Sequence, residues 1–245
     1  MTSYLNQKRA ENIINFLSSL KINSHKFIAI INNRDMNILK IFDEALTHSS
    51  ANKKINHEKL EFFGDAVLRL SASAFIDKNF NNMSVGKRSE LRAQIVSDEW
   101  LTKLGKIIQI EKQIIKGPKA MGDSHSKDRI IAETTEAFIG ALYKCCDSID
   151  EINIWLDKYW IKDSQTIIKE PFKFNAKSLL QEWCQEKGFN LPEYKIKEMS
   201  KLHGDPKRFF CELFINGTKQ ASAYGQSHKK AEKTAATIAI KKVTE

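Results

Sequence analysis

The sequence predicts a mostly helical first domain, followed by a small second domain with the order α-β-β-β-α. Apolar residues recur at helical spacing through most of residues 5–160. After Trp160 the pattern changes: a polar stretch is followed by an amphipathic helix, three segments of strand character and an alanine-rich helix. We place the boundary between about Ile161 and Asn175. The expected domains are 1–165 and 173–245.

The first domain is expected to contain six helices, because apolar residues return every three or four positions in six segments. These are Leu5–Leu20, Ile38–Leu46, Lys59–Phe75, Lys87–Leu104, Arg129–Lys144 and Ile149–Trp160. The polar, glycine-bearing stretch from Lys116 to Ser126 predicts a surface loop that leads into the fifth helix.

The second domain is expected to begin with a helix over Ala176–Lys187, with Gly188 as its C-cap. Tyr194 and Ile196 mark a first strand. Phe209–Ile215 and Lys219–Tyr224 form the next two strands, joined by a hairpin at Gly217. The alanine-rich segment Lys229–Val243 is the closing helix.

The charge of the chain favours a polyanionic partner. The net charge is +9, and residues 171–245 alone hold 14 Lys and Arg against 8 Asp and Glu. No apolar run is long enough for a membrane span, and the start lacks the apolar segment of a secretory signal, so we expect a cytoplasmic protein. The four cysteines show no zinc-site spacing, which favours reduced thiols.

Two groups of acids lie within strongly apolar segments. Glu58, Glu61 and Asp65 follow an i, i+3, i+7 spacing that aligns them along one helix. Glu133 and Glu136 form an i, i+3 pair on a later helix. Taken alone, such a pair is more often a solvated helix face. Acids beside a hydrophobic core cost free energy unless a cation compensates them, and a divalent metal is the obvious candidate.

These segments resemble the signature of ribonuclease III. The stretch from Asn56 to Asp65 is similar to N-E-R-L-E-F-L-G-D, with His57 at a variable position, and the segment around Glu133 is similar to the family's I-L-A-D-x-x-E-A-L-I-G. The resemblance implies a bacterial-type ribonuclease III: an all-helical endonuclease domain followed by a double-stranded RNA-binding domain. It is specific, since it fixes the acids, a glycine and the apolar frame together.

The resemblance implies roles for five carboxylates. Metal ligands are expected at Glu61, Asp65, Glu133 and Glu136, with Mg²⁺ as the ion and Mn²⁺ as an alternative. Catalytic roles are expected for Asp65, Glu136 and Glu58. Oxygen-rich sites suit Mg²⁺, which can activate water for phosphodiester hydrolysis. Glu133 departs from the family, where Asp is usual, but it keeps the charge, so we expect activity to survive.

Residues 175–243 resemble a double-stranded RNA-binding domain, which recognises the shape of the duplex. Its expected RNA contacts are Ser178, Gln181, Glu182, His203, Ser227, His228, Lys229 and Lys230. His228 departs from the usual Lys or Arg, and a solvated helix start is the plainer interpretation of the lysine pair.

Two further residues are open to more than one interpretation. Phe62 matches a family residue that packs the homodimer, and a plain core phenylalanine is equally expected. His48 lies in a stretch similar to the family's A-L-T-H-R-S, and packing or capping is expected rather than catalysis.

The sequence therefore predicts a homodimeric, Mg²⁺-dependent endoribonuclease that cuts both strands of double-stranded RNA in ribosomal and messenger RNA precursors and leaves 5′-phosphates. No membrane or small-molecule cofactor is expected. The alternatives are a catalytically inactive protein that binds double-stranded RNA on the same scaffold, and a phosphohydrolase acting on a small molecule.

Overall fold

A computed structural model describes residues 5–118, 120 and 126–244, apart from the side chains of Pro171 and Lys173. The chain divides into two compact units, residues 1–164 and 165–245. The predicted fold class is confirmed, because helices build the first unit and the second contains a helix, three strands and a final helix. None of the described helices is both long and apolar enough to cross a membrane.

The helices up to residue 169 agree with the prediction in most places. In chain order they are α1 Gln7–Ser19, α2 His25–Asn33, α3 Met36–Ala45, α4 Glu58–Asn79, α5 Val85–Ile95, α6 Asp98–Ile107, α7 Lys127–Cys146 and α8 Ile149–Lys169. Short 3₁₀ turns cover Ser49–Ala51 and Ile110–Gln113.

Three details of the helix prediction are wrong. The segment Lys87–Leu104 holds two helices, because Ser97 caps the second by accepting a 3.2 Å hydrogen bond from the Trp100 N–H. Helix α2, capped by Ser24, was not predicted. Helix α8 also continues through the polar stretch after Trp160. Most of the predicted surface loop from Lys116 to Ser126 lies outside the described residues.

Helix α7 lies at the centre of the first unit and packs against α3, α4 and α6. Its Phe138 is fully buried and touches three aromatic rings from other helices, at centroid distances of 5.5–5.6 Å. These partners are Phe16, Phe42 and Trp155. Because α7 is held on several sides, the direction of its remaining polar side chains is fixed.

Helices α4 and α7 approach each other closely at two glycines. A Cβ atom on Gly64 would lie 2.1 Å from the Glu136 carbonyl oxygen, and one on Gly140 would lie 2.4 Å from the Leu60 carbonyl oxygen. Any larger residue would therefore push the two helices apart. This contact brings the acids of α4 and α7 to one place.

The second unit contains the helical turn α9 Pro171–Phe174, helix α10 Ala176–Glu186, strands β1 Glu193–Glu198, β2 Phe209–Ile215 and β3 Thr218–Gly225, and helix α11 His228–Thr244. The strands form an antiparallel sheet in the order β1-β2-β3. The predicted hairpin is confirmed, since Asn216 and Gly217 both have positive φ. Gly188, at φ +68°, follows α10 as expected.

The core of the second unit is small and rich in alanine. Helix α11 packs against β2, β3 and α10. Its inner residues Ala231, Ala235, Ala236 and Ala239 are fully buried. Small side chains let the helix lie close to the sheet, and the lysine pairs at its two ends, Lys229 with Lys230 and Lys241 with Lys242, are exposed.

We predict that Gly64→Ala destabilises the protein. The new methyl group would overlap the backbone of α7, which cannot move aside without separating the helices. We expect a loss of about 1–3 kcal/mol in unfolding free energy, measured by urea denaturation. Gly86→Ala in α5 is the matched control, because its Cβ meets nothing within 4 Å. It should be neutral or stabilising by up to about 1 kcal/mol. Equal losses in both variants would contradict the argument.

Candidate active site

The first unit contains a cavity of about 890 Å³ that brings together all five acids expected from the sequence. Its charged and imidazole lining residues are His48, His57, Glu58, Glu61, Asp65, Arg129, Glu133 and Glu136. The two acidic helices, separated by about 70 residues in the chain, therefore form one site. Their convergence follows from the close contact of α4 and α7.

The start of α4 presents three of the acids. Asn56 accepts a 3.0 Å hydrogen bond from the Glu58 N–H, so its side chain caps the first turn. Glu58 is exposed, whereas Glu61 and Asp65 are half-buried. The positive end of the helix dipole favours the acids of the first turn. Asp65 also accepts a 2.6 Å hydrogen bond from Arg69.

Glu133 on α7 is surrounded by cationic and imidazole groups. Arg129 donates to one of its carboxylate oxygens at 2.5 Å, and His48 Nε2 lies 3.3 Å from the other. The His57 ring and Arg129 lower the pKa of Glu133 to about 2, while burial acts in the opposite sense. Since His57 Nε2 is 3.9 Å away, beyond hydrogen-bond length, we consider the Arg129 contact the stronger of the two.

Glu136 has the opposite environment. Burial, followed by the charges of Asp65 and Glu61, raises its pKa to about 8. Burial and Glu133 also raise the pKa of Glu61. The acids therefore cannot all ionise near neutral pH without a compensating cation. Oxygen donors crowded in this way fit a hard divalent ion, which would restore the charge of Glu136.

Two histidines complete the site, and the sequence did not reveal how closely they are involved. His48, His57 and Glu133 offer ligand atoms that all lie within 4.8 Å of one another. His48 has the capping contact expected for it, because its Nδ1 accepts from the Ser50 N–H at 3.1 Å. The i, i+4 spacing of His57 to Glu61 is visible in the sequence and is the signal that indicates its involvement, although the resemblance gives His57 only a variable position.

The candidate RNA-binding residues of the second unit are all exposed: Ser178, Gln181, Glu182, His203, Ser227, His228, Lys229 and Lys230. Some also have structural partners. Ser227 accepts from the Lys230 N–H at 3.2 Å and so caps α11, and the His228 ring packs edge-on against Phe209. His203 Nδ1 lies 3.0 Å from an Arg208 guanidinium nitrogen.

Phe62 is not a core residue in this chain, because 85% of its surface is exposed. Ala66 and Leu70 follow it at i+4 and i+8 and are also exposed. The three residues form an apolar strip along the outer side of α4. The expectation of a plain core phenylalanine is therefore wrong.

Comparisons with known proteins agree with this architecture. The ribonuclease-III-like family matches residues 39–150, and the double-stranded RNA binding motif matches residues 176–243. A curated protein named Ribonuclease 3 from Prochlorococcus marinus is 49% identical over 100% of this chain and 98% of its own length. The chain belongs to the ribonuclease III family. A second relative in this family, Ribonuclease 3 2 from Nostoc, is 33% identical over 84% of this chain and 85% of its own length.

Solved structures are also similar to this ribonuclease III family member. A nuclease domain of ribonuclease III from Campylobacter jejuni is 25% identical and covers 65% of this chain and 98% of its own, with a TM-score of 0.48. Membership of the ribonuclease III family makes the chain an enzyme and implies a divalent metal, for which the carboxylates that line the cavity are fitting donors.

We predict that the metal-free protein loses stability as the pH rises from about 5 to about 8. Folded Glu136 keeps its proton up to about pH 8, whereas its ordinary pKa is 4.5. At Glu136 the folded state thus binds more protons in this window, and the stability that this group contributes must fall as they leave. Burial lowers the pKa of His48, and this opposes part of the decline below about pH 6.5. The melting temperature in EDTA should show this decline, and Mg²⁺ should reduce it.

The Glu136→Gln variant should lose most of this pH dependence, because it cannot ionise. Glu99→Gln on α6 is the control, since Glu99 is an exposed acid outside the cavity. An unchanged pH slope in Glu136→Gln would show that another group is responsible.

Proposed function

We propose that this protein is a Mg²⁺-dependent endoribonuclease that hydrolyses both strands of double-stranded RNA. The products would carry 5′-phosphates on staggered ends, and the substrates would be ribosomal and messenger RNA precursors in the cytoplasm. The convergence of Glu58, Glu61, Asp65, Glu133 and Glu136 in one cavity, with Glu136 in need of a cation, carries this proposal. The double-stranded RNA binding motif supplies the substrate class.

In this proposal Glu61, Asp65, Glu133 and Glu136 would hold Mg²⁺, with Mn²⁺ as an alternative ion. The bound metal would supply an activated water and neutralise charge on the phosphate. Asp65 and Glu136 would orient the metal and the attacking water, and the exposed Glu58 would act at the rim, near the substrate. Arg69 and Arg129 are paired with Asp65 and Glu133 but are largely exposed, at 58% and 79% of their side chains. Their positive charge would meet the RNA backbone where a metal ion takes over these two carboxylates.

The second unit would supply affinity for the duplex. Ser178, Gln181 and Glu182 on α10 suit 2′-OH contacts in one minor groove, and His203 in the loop after β1 suits the next. Ser227, His228, Lys229 and Lys230 stand at the N-terminus of α11, where backbone N–H groups and cations favour phosphates. Their shared exposure supports this assignment.

The apolar strip of Phe62, Ala66 and Leu70 supports a homodimer. A phenylalanine with 85% of its surface in water costs free energy, which a second copy of the chain would recover. Analytical ultracentrifugation of Phe62→Lys should show monomers where the wild type shows dimers. If this variant dimerises with the same affinity as the wild type, the strip is not part of the dimer interface.

One observation favours an inactive RNA-binding protein as the second candidate. Glu133 stands where the family has Asp, and its carboxylate is engaged by Arg129 and His48. The retention of all five acids weighs against this alternative. A phosphohydrolase acting on a small molecule would not need the RNA-binding motif of the second unit.

We predict that Glu136→Gln abolishes cleavage while duplex binding is retained. The substitution removes a carboxylate that would hold Mg²⁺, and we expect the cleavage rate to fall at least about 100-fold. Cleavage of a long duplex with Mg²⁺ and binding of the same duplex with Ca²⁺ are measured side by side. Binding without cleavage in the wild type would favour the inactive candidate. Wild-type rates in Glu136→Gln would contradict the proposed site.

We also predict that Lys229→Gln with Lys230→Gln weakens binding of all duplexes alike. Each lost phosphate contact should reduce the slope of log affinity against log salt by about 1. Lys241→Gln with Lys242→Gln is the matched control, because this pair lies exposed at the other end of the same helix. Equal effects of the two double variants would mean that only net charge matters.

A further inference from the structure

His48 and His57 form a stacked pair whose rings are fixed from behind. The ring centroids are 4.7 Å apart, and the residues expose only 9% and 1% of their surface. The backbone N–H of His48 donates to the Ile115 carbonyl at 2.9 Å, and that of His57 donates to Thr47 at 2.9 Å. These bonds fix the backbone of both residues, and burial and stacking restrict their rings independently of the acids that they face.

The hydrogen bonds of the two rings determine where their protons lie. The Ser50 N–H donates to Nδ1 of His48 at 3.1 Å, and the Ser49 N–H donates to Nδ1 of His57 at 3.2 Å. The Ser50 hydroxyl also lies 2.8 Å from Nδ1 of His48. Because this hydroxyl accepts from the Gly117 N–H at 3.0 Å, its own proton can be donated to Nδ1. A backbone amide can only donate, so both Nδ1 atoms are unprotonated. A neutral ring must then carry its proton on Nε2.

Both Nε2–H groups point into the cavity at carboxylates. His48 Nε2 lies 3.3 Å from Glu133 Oε2. His57 Nε2 lies 3.2 Å from Glu61 Oε2 and 3.9 Å from Glu133 Oε2, and it has no well-aligned hydrogen-bond partner. A buried N–H group without a hydrogen-bond partner costs free energy, and a carboxylate that accepts its hydrogen bond removes this cost.

We propose that His48 and His57 are positioning residues, whose Nε2–H groups hold the carboxylates of Glu133 and Glu61 for metal binding. This inference rests on the proposed function of the site. Direct ligation by the two histidines is disfavoured, although their nitrogens lie within reach of one ion. A ligating Nε2 needs the proton on Nδ1, and both Nδ1 atoms face backbone donors.

The length of the Glu133 side chain also determines whether its carboxylate reaches the His48 ring. An aspartate at this position would hold its carboxylate one methylene, or roughly 1.3 Å, further from the rings. The 3.3 Å contact with His48 would then be lost. The family's Asp is thus replaced here by a residue long enough to reach a donor that the fold already fixes.

The test is a double-mutant cycle of His48→Asn and Glu133→Asp, with Mn²⁺ binding to the full chain measured by calorimetry without RNA. Asn is a good N-cap and can keep the contact to the Ser50 N–H, but it cannot reach Glu133. For the second ring, His57→Gln keeps a donor near Nε2, whereas His57→Leu has none. His25→Asn, an exposed histidine at the start of α2, is the control.

We expect His48→Asn and His57→Leu each to weaken Mn²⁺ binding about 10-fold, and His57→Gln to restore most of the loss. In the Glu133→Asp background, His48→Asn should weaken Mn²⁺ binding by less than about a further 3-fold. The Mg²⁺ concentration for half-maximal cleavage should rise likewise, while the rate at saturating Mg²⁺ changes little. Circular dichroism and melting temperature identify any variant that does not fold. If His48→Asn does not fold, the comparison of His57→Leu with His57→Gln provides the test.

Three outcomes would overturn the inference. The first is unchanged Mn²⁺ affinity in folded His48→Asn and His57→Leu. The second is a His48→Asn effect that is equally large in the Glu133→Asp background, which would mean that the two residues act independently. The third is an equivalent of Zn²⁺ that binds the wild type and is lost in His48→Asn, which would make the histidines ligands. Absence of Mn²⁺ binding in the wild type would instead contradict the proposed function itself.

Discussion

The contact between α4 and α7 at Gly64 and Gly140 is the constraint on which the rest of the first unit depends. Each glycine lies against the backbone of the opposite helix, with no room for a Cβ atom. This proximity buries Glu136 and places Asp65 and Glu61 within electrostatic reach of it, and both effects, burial first, raise the pKa of Glu136. Bringing these acids together costs free energy. The apolar core around Phe138 offsets this cost, since its packing holds the helices together despite the repulsion between their acids. The site is thus electrostatically strained in the absence of a cation, and the strain has a structural source.

The acids of the cavity fall into two electrostatic classes, although the sequence presents them as equivalent. Arg129 and the histidines keep Glu133 ionised, whereas burial and the neighbouring acids keep Glu136 protonated near neutral pH. A metal ion would therefore meet one carboxylate that is already charged and another that must release a proton. Neighbouring acids with pKa values moved in opposite directions are typical of catalytic sites.

The sequence was sufficient for the fold class and for choosing the acids that line one cavity, because both depend on local patterns. Helical periodicity, the glycine after α10 and the Asn-Gly hairpin are short-range features that tertiary structure did not override. The break before Ser97 was missed because apolar residues continue across it, and only the capping contact to Trp100 reveals it. The Arg129 contact of Glu133 is an i, i+4 pair that the sequence could have indicated, but its histidine contacts could not be predicted. They depend on His48 and His57, which reach α7 only because backbone hydrogen bonds anchor the segment between α3 and α4.

The segment between α3 and α4 also explains how a substitution in the signature can be accommodated. Ile115 makes two backbone hydrogen bonds with this segment. Its N–H donates to the Leu46 carbonyl, and its carbonyl accepts from the His48 N–H. This backbone framework carries the two imidazole rings, and their Nδ1 atoms are held by backbone N–H groups and not by the acid that α7 carries. A longer acid at residue 133 gains a hydrogen bond from this framework, whereas a shorter one does not reach it. In our proposal, the loop that faces residue 133, with the proton that it fixes on Nε2 of His48, is what makes Glu suitable at this position.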